Sequence, residues 1–587
     1  MHILARIRKF FRDDETHFVQ LTEHFFQRFF DNELIAQGSE ALLTVVHILA
    51  LLAMPPVIYS LYQLPTYSYI YWFSQWKYEQ VSLMDHCRFI ILSMAIIGFV
   101  AVLEWDALFL DARDFAILIP LPLKASTVFR AKITALLLFL SLFIGDVGGI
   151  PTLLYPVVES TGIPAAHVSL LRLCRMIFAH GIAIGAASAF TFLFIVALQG
   201  LLINALSPRA FKKISLGVQV DAMIALLLLL FLLPTLSDLP SGWQQAPGAR
   251  LLWFPPLWFL GLYQTLLGSS EGALHTLAGI AIVALAVVAF ACAAAYALNY
   301  RRHMQQAVEA SAAEPSGPSR MDAFAIRAMN VLLLRKPRER AAFYFVSKTI
   351  ARSGKHRLYL AAYVGTGLAL ALFGTLDAFV YMSKGDLIAA ISQPHEALLA
   401  IPLIVSFFVL SGMRMIFTIP AELSANWVFQ LAEDENRAEF LRGARKAMLV
   451  PVVMILAALF PIFSALWGWR PALMNFTFSL VLSVILAELL FLNFLKIPFT
   501  CSFQSGKANI TLLGVFYWFA FTAYAYTMAT VERWLLQDGT RWLVFMVVAL
   551  LALAALVLRR NVASANGFSI MYEDTANPEV QTLDLNG

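Results

Sequence analysis

Runs of about 20 mostly apolar residues, each long enough to cross the hydrocarbon core of a bilayer as a helix, recur along nearly the whole chain. Lipid offers backbone amides no hydrogen-bond partner, so a spanning segment must satisfy its own, and a continuous apolar run does so as a helix. Cutting the runs at charged or Gly/Pro-rich breaks predicts spans near 41–62, 88–104, 132–156, 173–206, 214–236 and 273–299, then 357–381, 395–418, 446–468, 471–496, 508–530 and 537–558. A composition of 60% hydrophobic and 13% charged residues, with mean hydropathy +0.74, excludes a string of soluble domains. The expected fold is an all-α polytopic membrane protein of about 12 transmembrane helices, arranged as two six-helix halves.

Each half is expected to begin with an interfacial amphipathic helix. In the first 40 residues Phe18, Leu21, Phe25 and Phe29 recur at helical spacing between charges, as in a helix lying in the interface or docked on the protein's own cytosolic side. The linker 301–356 carries the flexible "EASAAEPSGPSR" and then the basic "RKPRERAAFYFVSKTIARSGKHR", which repeats that arrangement. Domain limits follow: 1–40 amphipathic, 41–300 first half, 301–356 linker, 357–560 second half, 561–587 tail. Most of the 42 basic residues fall on one side if the N-terminus is cytosolic. Cations are retained on that side during insertion, so both termini are expected inside a bacterial-type cytoplasmic membrane.

Several chemistries find no motif. Cys87, Cys174, Cys292 and Cys501 form no C-x-x-C pair, no H-E-x-x-H occurs, and neither "RSGKHR" nor "QSGKAN" has the upstream glycine of a phosphate loop. No metal, cofactor or ATP site is therefore expected in this chain. The net charge of +5 is explained by the cytosolic bias and does not indicate nucleic acid.

Between the second and third spans stands "DFAILIPLPLKASTVFRAK". Its prolines cannot continue a regular helix and restrain their predecessors, so a short apolar turn is followed by Lys124, Arg130 and Lys132 at the mouth of the third span. Sliding the chain by 312 residues lays it over "NWVFQLAEDENRAEFLRGARK", with Phe115 on Trp427 and Arg130 on Arg442. Both segments lie between the second and third span of their half, the placement expected of an internal duplication.

The acidic start, Leu/Ile-rich turn, "PLP", short polar run and "AK" resemble the permeases of type-2 ABC exporters. In that family an elbow helix precedes six spans, and the segment between spans two and three is a coupling helix that docks on a separate ATPase. The resemblance implies Asp114, Phe115, Leu118, Pro120, Pro122, Ala131 and Lys132 as coupling residues, and a partner ATPase subunit, itself a homodimer, that holds the ATP and magnesium. Lys124 and Arg130 extend the docking surface. The counterpart in the second half contributes Trp427, Glu433, Asp434, Glu435 and Arg442. It lacks the prolines, and its acidic run suits either a basic groove or a solvated face. Similar permeases carry short re-entrant helices between spans five and six. Here that connection is long and apolar, with Trp253, Pro255, Pro256, Trp258 and Tyr263 suited to the outer interface; a folded outer loop is the other reading.

Ionisable residues within spans are costly and invite a functional reading. Asp146, Asp377 and Glu488 lie inside spans, Glu104 and Asp106 close the second, and Arg172, Arg175 and His180 open the fourth on its outer side. Glu104, Asp106, Asp146, Arg175, His180, Asp377 and Glu488 are thus candidates for a polar route, or for structural pairs between helices. The function expected is the membrane-spanning permease of an ATP-driven exporter, itself no enzyme, with membrane lipid and an ABC-type ATPase as partners. An integral-membrane enzyme acting on lipid-linked substrates through Glu104, Asp106 or Arg175, and a scaffold without transport, are the alternatives.

Overall fold

The structure, a computed structural model, describes residues 17–30, 41–70, 75–109, 124–163, 169–231, 251–306, 329–330, 334–382, 393–421, 426, 438–492, 494, 496–501 and 510–565. Among these, every extended element is helical and eleven helices are long and apolar enough to cross a membrane. The protein is an all-α polytopic membrane protein. Its contacts divide it into two units, Met1–Glu314 and Pro315–Gly587.

The first unit opens with α1, residues 17–28. There follow α2 (Ala41–Tyr62), α3 (Leu64–Ile70), α4 (Gln75–Leu103), α5 (Trp105–Leu108), α6 (Ala125–Ser160), α7 (Leu170–Ala205), α8 (Pro208–Phe231), α9 (Pro255–Leu267) and α10 (Gly272–Gln306). The second span, α4, is the central one, with 72% of its most apolar stretch buried. It begins 13 residues before the expected start at 88, because a polar first third is paired inside the unit and does not need to leave the bundle. At 36 residues each, α6 and α7 run about 54 Å at 1.5 Å per residue, well beyond a hydrocarbon core of about 30 Å. Their ends therefore reach the level of headgroups and water, or tilt to avoid it.

The second unit consists of α11 (Pro337–Arg352), α12 (Gly354–Met382), α13 (Glu396–Ile416), α14 (Ala438–Trp467), α15 (Trp469–Phe491), α16 (Ile510–Thr522), a π-helical turn (Ala523–Thr527), α17 (Met528–Leu535) and α18 (Gly539–Ala565). Again the second span is central, with 78% of the corresponding stretch of α13 buried; Leu403, Leu410 and Met413 anchor the core around it. The eleventh expected span, 508–530, is helical from residue 510 onward but is divided by the π turn. About twelve spans were expected; eleven helices long and apolar enough to cross a membrane are found among the described residues, and this divided one is not among them.

Both expected amphipathic helices are present. Phe25 of α1 and Phe29, just past its end, are buried, with Phe29 stacked on Phe139 of α6 at 4.4 Å, so this end of α1 docks on its own bundle. Along α11, Glu339, Ala342, Phe343 and Val346 are buried and the helix packs on α14. Gly443 permits that approach: a Cβ there would collide with the Glu339 carbonyl and lie 2.7 Å from the Ala342 Cβ.

Candidate functional site

Two regions concentrate polar side chains in the first unit, one at each end of its long helices. At the end where α4 stops and α6 starts, the described flanks of the expected coupling segment are held from several sides. Lys132, buried on α6, donates from Nζ to the Ala107 carbonyl of α5 at 2.7 Å and lies 5.1 and 5.0 Å from the ring centroids of Phe25 and Phe29. Gln199 of α7 donates to the Trp105 carbonyl at 2.7 Å. The Tyr296 hydroxyl of α10 donates to the Leu108 carbonyl, while its ring stacks on Phe109 at 4.3 Å. The ends of α1, α4, α6, α7 and α10 thus meet at one knot, because α5 leaves carbonyls that side chains from other helices satisfy.

Lys124 caps the start of α6 in extended conformation, and Arg130 is exposed one turn further on. Asp114, Phe115, Leu118, Pro120 and Pro122 lie outside the described residues, as do Trp427, Glu433, Asp434 and Glu435. Arg442 is described: it stands 3.9 Å from Glu339 of α11, which also pairs with Lys446 at 2.6 Å. Where α13 ends, residues 417–421 are tied by Ala421 N to the Phe499 carbonyl at 3.0 Å, by Phe499 N to the Phe417 carbonyl at 3.1 Å, and by His356 Nε2 to the Ile419 carbonyl at 3.0 Å.

The opposite end of the first unit carries residues that the span boundaries drawn from sequence left out. Asp85 is fully buried and accepts from four donors: Tyr59 at 2.6 Å, Gln63 at 2.5 Å, Tyr67 at 3.0 Å and Arg88 at 2.8 Å. The Tyr67 and Tyr155 hydroxyls meet at 2.7 Å. Beside them Glu159 is buried. Its Oε1 accepts from Ser82, and from Tyr78 at 3.4 Å; its Oε2 faces His86 Nε2 at 3.1 Å. His86 Nδ1 lies 3.0 Å from His180 Nδ1, and His180 Nε2 is buried with no hydrogen-bond partner among the described residues.

In one arrangement that satisfies these distances, His86 donates from Nε2 to Glu159 and accepts at Nδ1 from His180 Nδ1–H; the reverse arrangement, with each proton on the other partner, fits the same distances. Tyr263 of α9 stacks on His86 with centroids 3.7 Å apart; burial pushes its phenol well above the ordinary range and holds it neutral.

Glu159 also forms part of the lining of a cleft of about 610 Å³. Its walls include Glu79 of α4, Arg172 and Arg175 of α7, and Glu271 just before α10. Arg175 donates from Nε to the Leu266 carbonyl at 2.8 Å, and thereby caps α9. That helix starts on Pro255 and Pro256, whose fixed φ suits a first turn, and ends on Gly268 at φ 88°. Its positive φ favours glycine there, while a Cβ would meet only the tip of the flexible Arg175 side chain. Trp258 donates to Leu252 at 2.7 Å, whereas Trp253 is 84% exposed. The helix expected between spans five and six is therefore present, wedged against α4 and α7 through Leu257, Phe259 and Leu260.

Among the described residues of the first unit, the candidates for a polar route are not gathered in one place. Arg175 and His180 belong to the cleft and the buried chain beneath it. Asp146 stands apart on α6, with a buried carboxylate oxygen that has no partner among the described residues. Glu104 occupies the turn between α4 and α5, at the other end. The side chains of Asp106 and Asp377 lie outside the described residues. Glu488 belongs to the second unit, where Arg445 and Arg560 each reach both its oxygens at 2.7 Å. It is the hub of a structural ion-pair group near the end of α15.

Among the described residues no group of three or more His, Cys, Asp and Glu side chains converges as metal ligands. No family model, no curated protein and no solved structure matches the chain.

Proposed function

We propose that this chain is the membrane-spanning permease of an ABC-type exporter, energised by a separate ATPase that holds the nucleotide and magnesium. The observation that carries the reading is the knot at the base of the expected coupling segment. Force delivered to residues 110–123 enters α5 and α6, which are hydrogen-bonded through Ala107, Trp105 and Leu108 to α6, α7 and α10. A partner pushing there would shift several spans together, as closure of a nucleotide-driven dimer requires. The recurrence of a docked amphipathic helix before a central second span in both units supports a duplicated permease, as does the 312-residue correspondence. With both termini cytosolic, the knot faces the compartment that contains ATP.

Purified alone, the protein is expected to hydrolyse no ATP, whereas a nucleotide-binding subunit encoded beside it co-purifies. Phe115→Ala and Arg130→Ala are each expected to weaken that association about tenfold, the scale of about 1.4 kcal/mol lost at a docking contact. Unchanged association in both variants would sink the coupling assignment. The alternative reading, an integral-membrane enzyme acting on lipid-linked substrates, is favoured by one observation, the Glu159–His86–His180 chain beside an open cleft. It requires turnover without any ATPase that collapses in Glu159→Gln.

A further inference from the structure

We infer that the cleft bordered by Glu159 binds a zwitterionic amphiphile, with its anionic group beside Arg172 and its ammonium group against Glu271 and Glu159. The inference concerns the ligand alone and does not depend on an ATPase partner.

The charges lining the cleft carry the argument. Arg172 stands on one wall, and Glu79 and Glu271 on others, yet among the described residues none of the three forms an ion pair. Glu271 has a carboxylate oxygen shut off from solvent with no hydrogen-bond partner among the described residues, an unfavourable arrangement unless something fills the gap. Glu159 is fixed at the floor by Ser82, Tyr78 and His86, so its charge is presented in one place. The lining carries two guanidinium groups, Arg172 and Arg175, and three carboxylates, Glu79, Glu159 and Glu271. A simple anion would satisfy the guanidinium groups and leave the carboxylates facing it. A simple cation would reverse the fault. A ligand with both charges, separated across the cleft, answers both sets at once.

The volume and mouth of the cleft narrow the class further. About 610 Å³ lies within the range of small-molecule sites and exceeds what an ammonium and a phosphate or carboxylate fill alone. Leu171, part of the lining, is 81% exposed, and its neighbour Leu170 is 78% exposed. Such side chains at the start of a span extend an apolar surface outward from the polar cleft, where an acyl chain would lie. A phosphoethanolamine lipid has this chemistry. A soluble zwitterion shares the headgroup but makes no use of the leucines.

The test uses the full chain in detergent, titrated with phosphatidylethanolamine, phosphatidylglycerol or glycerophosphoethanolamine, with binding followed by native mass spectrometry. Phosphatidylethanolamine is expected to bind about tenfold more tightly than phosphatidylglycerol, and more tightly than the soluble headgroup. Arg172→Gln and Glu271→Gln should each weaken it about five- to twentyfold, while Arg533→Gln, in the other unit, should bind as wild type. Elution volume and helical circular dichroism identify any variant that fails to fold; Arg172→Lys, which keeps the charge, then supplies the comparison and should retain most of the affinity. Equal binding of the two lipids, or wild-type binding by folded Arg172→Gln and Glu271→Gln, would overturn the proposal. Equal affinity for the soluble headgroup would overturn its amphiphilic part.

Discussion

A carboxylate buried among helices is held by what surrounds it, and three such groups, Glu488, Asp85 and Glu159, differ in how visible they are in the sequence. Glu488 is seen in the sequence as a charge inside an apolar run, but not its partners: Arg445 and Arg560 lie 43 and 72 positions away. Asp85 and Glu159 were missed because they fall just outside the apolar runs. Their signal was a four-residue spacing of polar side chains, Tyr59-Gln63-Tyr67, Tyr78-Ser82-His86 and Tyr155-Glu159, which puts each set on one helix face. Hydropathy averages such a face away. Glu488→Gln leaves two guanidinium groups against a neutral amide, one of them, Arg445, only 8% exposed. Breaking a buried pair in this way costs about 3–5 kcal/mol. A thermal shift assay of the purified protein should register that loss, with Glu488→Asp recovering part of it. A loss below about 1 kcal/mol would show that water reaches the group freely.

Elements follow from pattern where one physical term dominates. Lipid solvation decides the spans, so most of their boundaries were legible within a few residues. The start of α4 was not, since its polar turns are paired with partners on α2, α3 and α6 that the sequence does not reveal. The amphipathic α11 was legible from its basic face, but its seat on α14 depends on the absence of a side chain at Gly443. Gly443→Leu should force the two helices apart, at a cost of about 1–3 kcal/mol for overpacking, and should render α11 sensitive to limited proteolysis at Arg338 or Arg340. Lys446→Met, which removes one part-exposed ion pair to Glu339, should change cleavage much less. If the leucine variant resists protease as wild type does, α11 is not anchored through this crossing.

For the whole molecule, the distribution of basic residues and the two ends of the first unit make one joint statement about orientation. If cations are retained inside, the knot around Lys132 is cytosolic and the cleft beside Glu159 opens outside. These ends lie far apart along α6, whose 36 residues rise about 54 Å, so one label at each end separates the two faces. Among the native cysteines only Cys174 is exposed, so a Cys174→Ser background removes unwanted labelling. In it, Ser270→Cys, in the exposed turn before α10, is expected to react with a membrane-impermeant maleimide on intact cells. Ser126→Cys, exposed at the start of α6, should react only after permeabilisation. The reverse pattern would place the cleft in the cytosol. It would also move the coupling segment away from any ATPase, since no soluble nucleotide-binding partner could then reach Phe115. The permease reading and the cleft's access from outside therefore stand or fall on the same pair of labels, whereas lipid binding in the cleft does not depend on which side it faces.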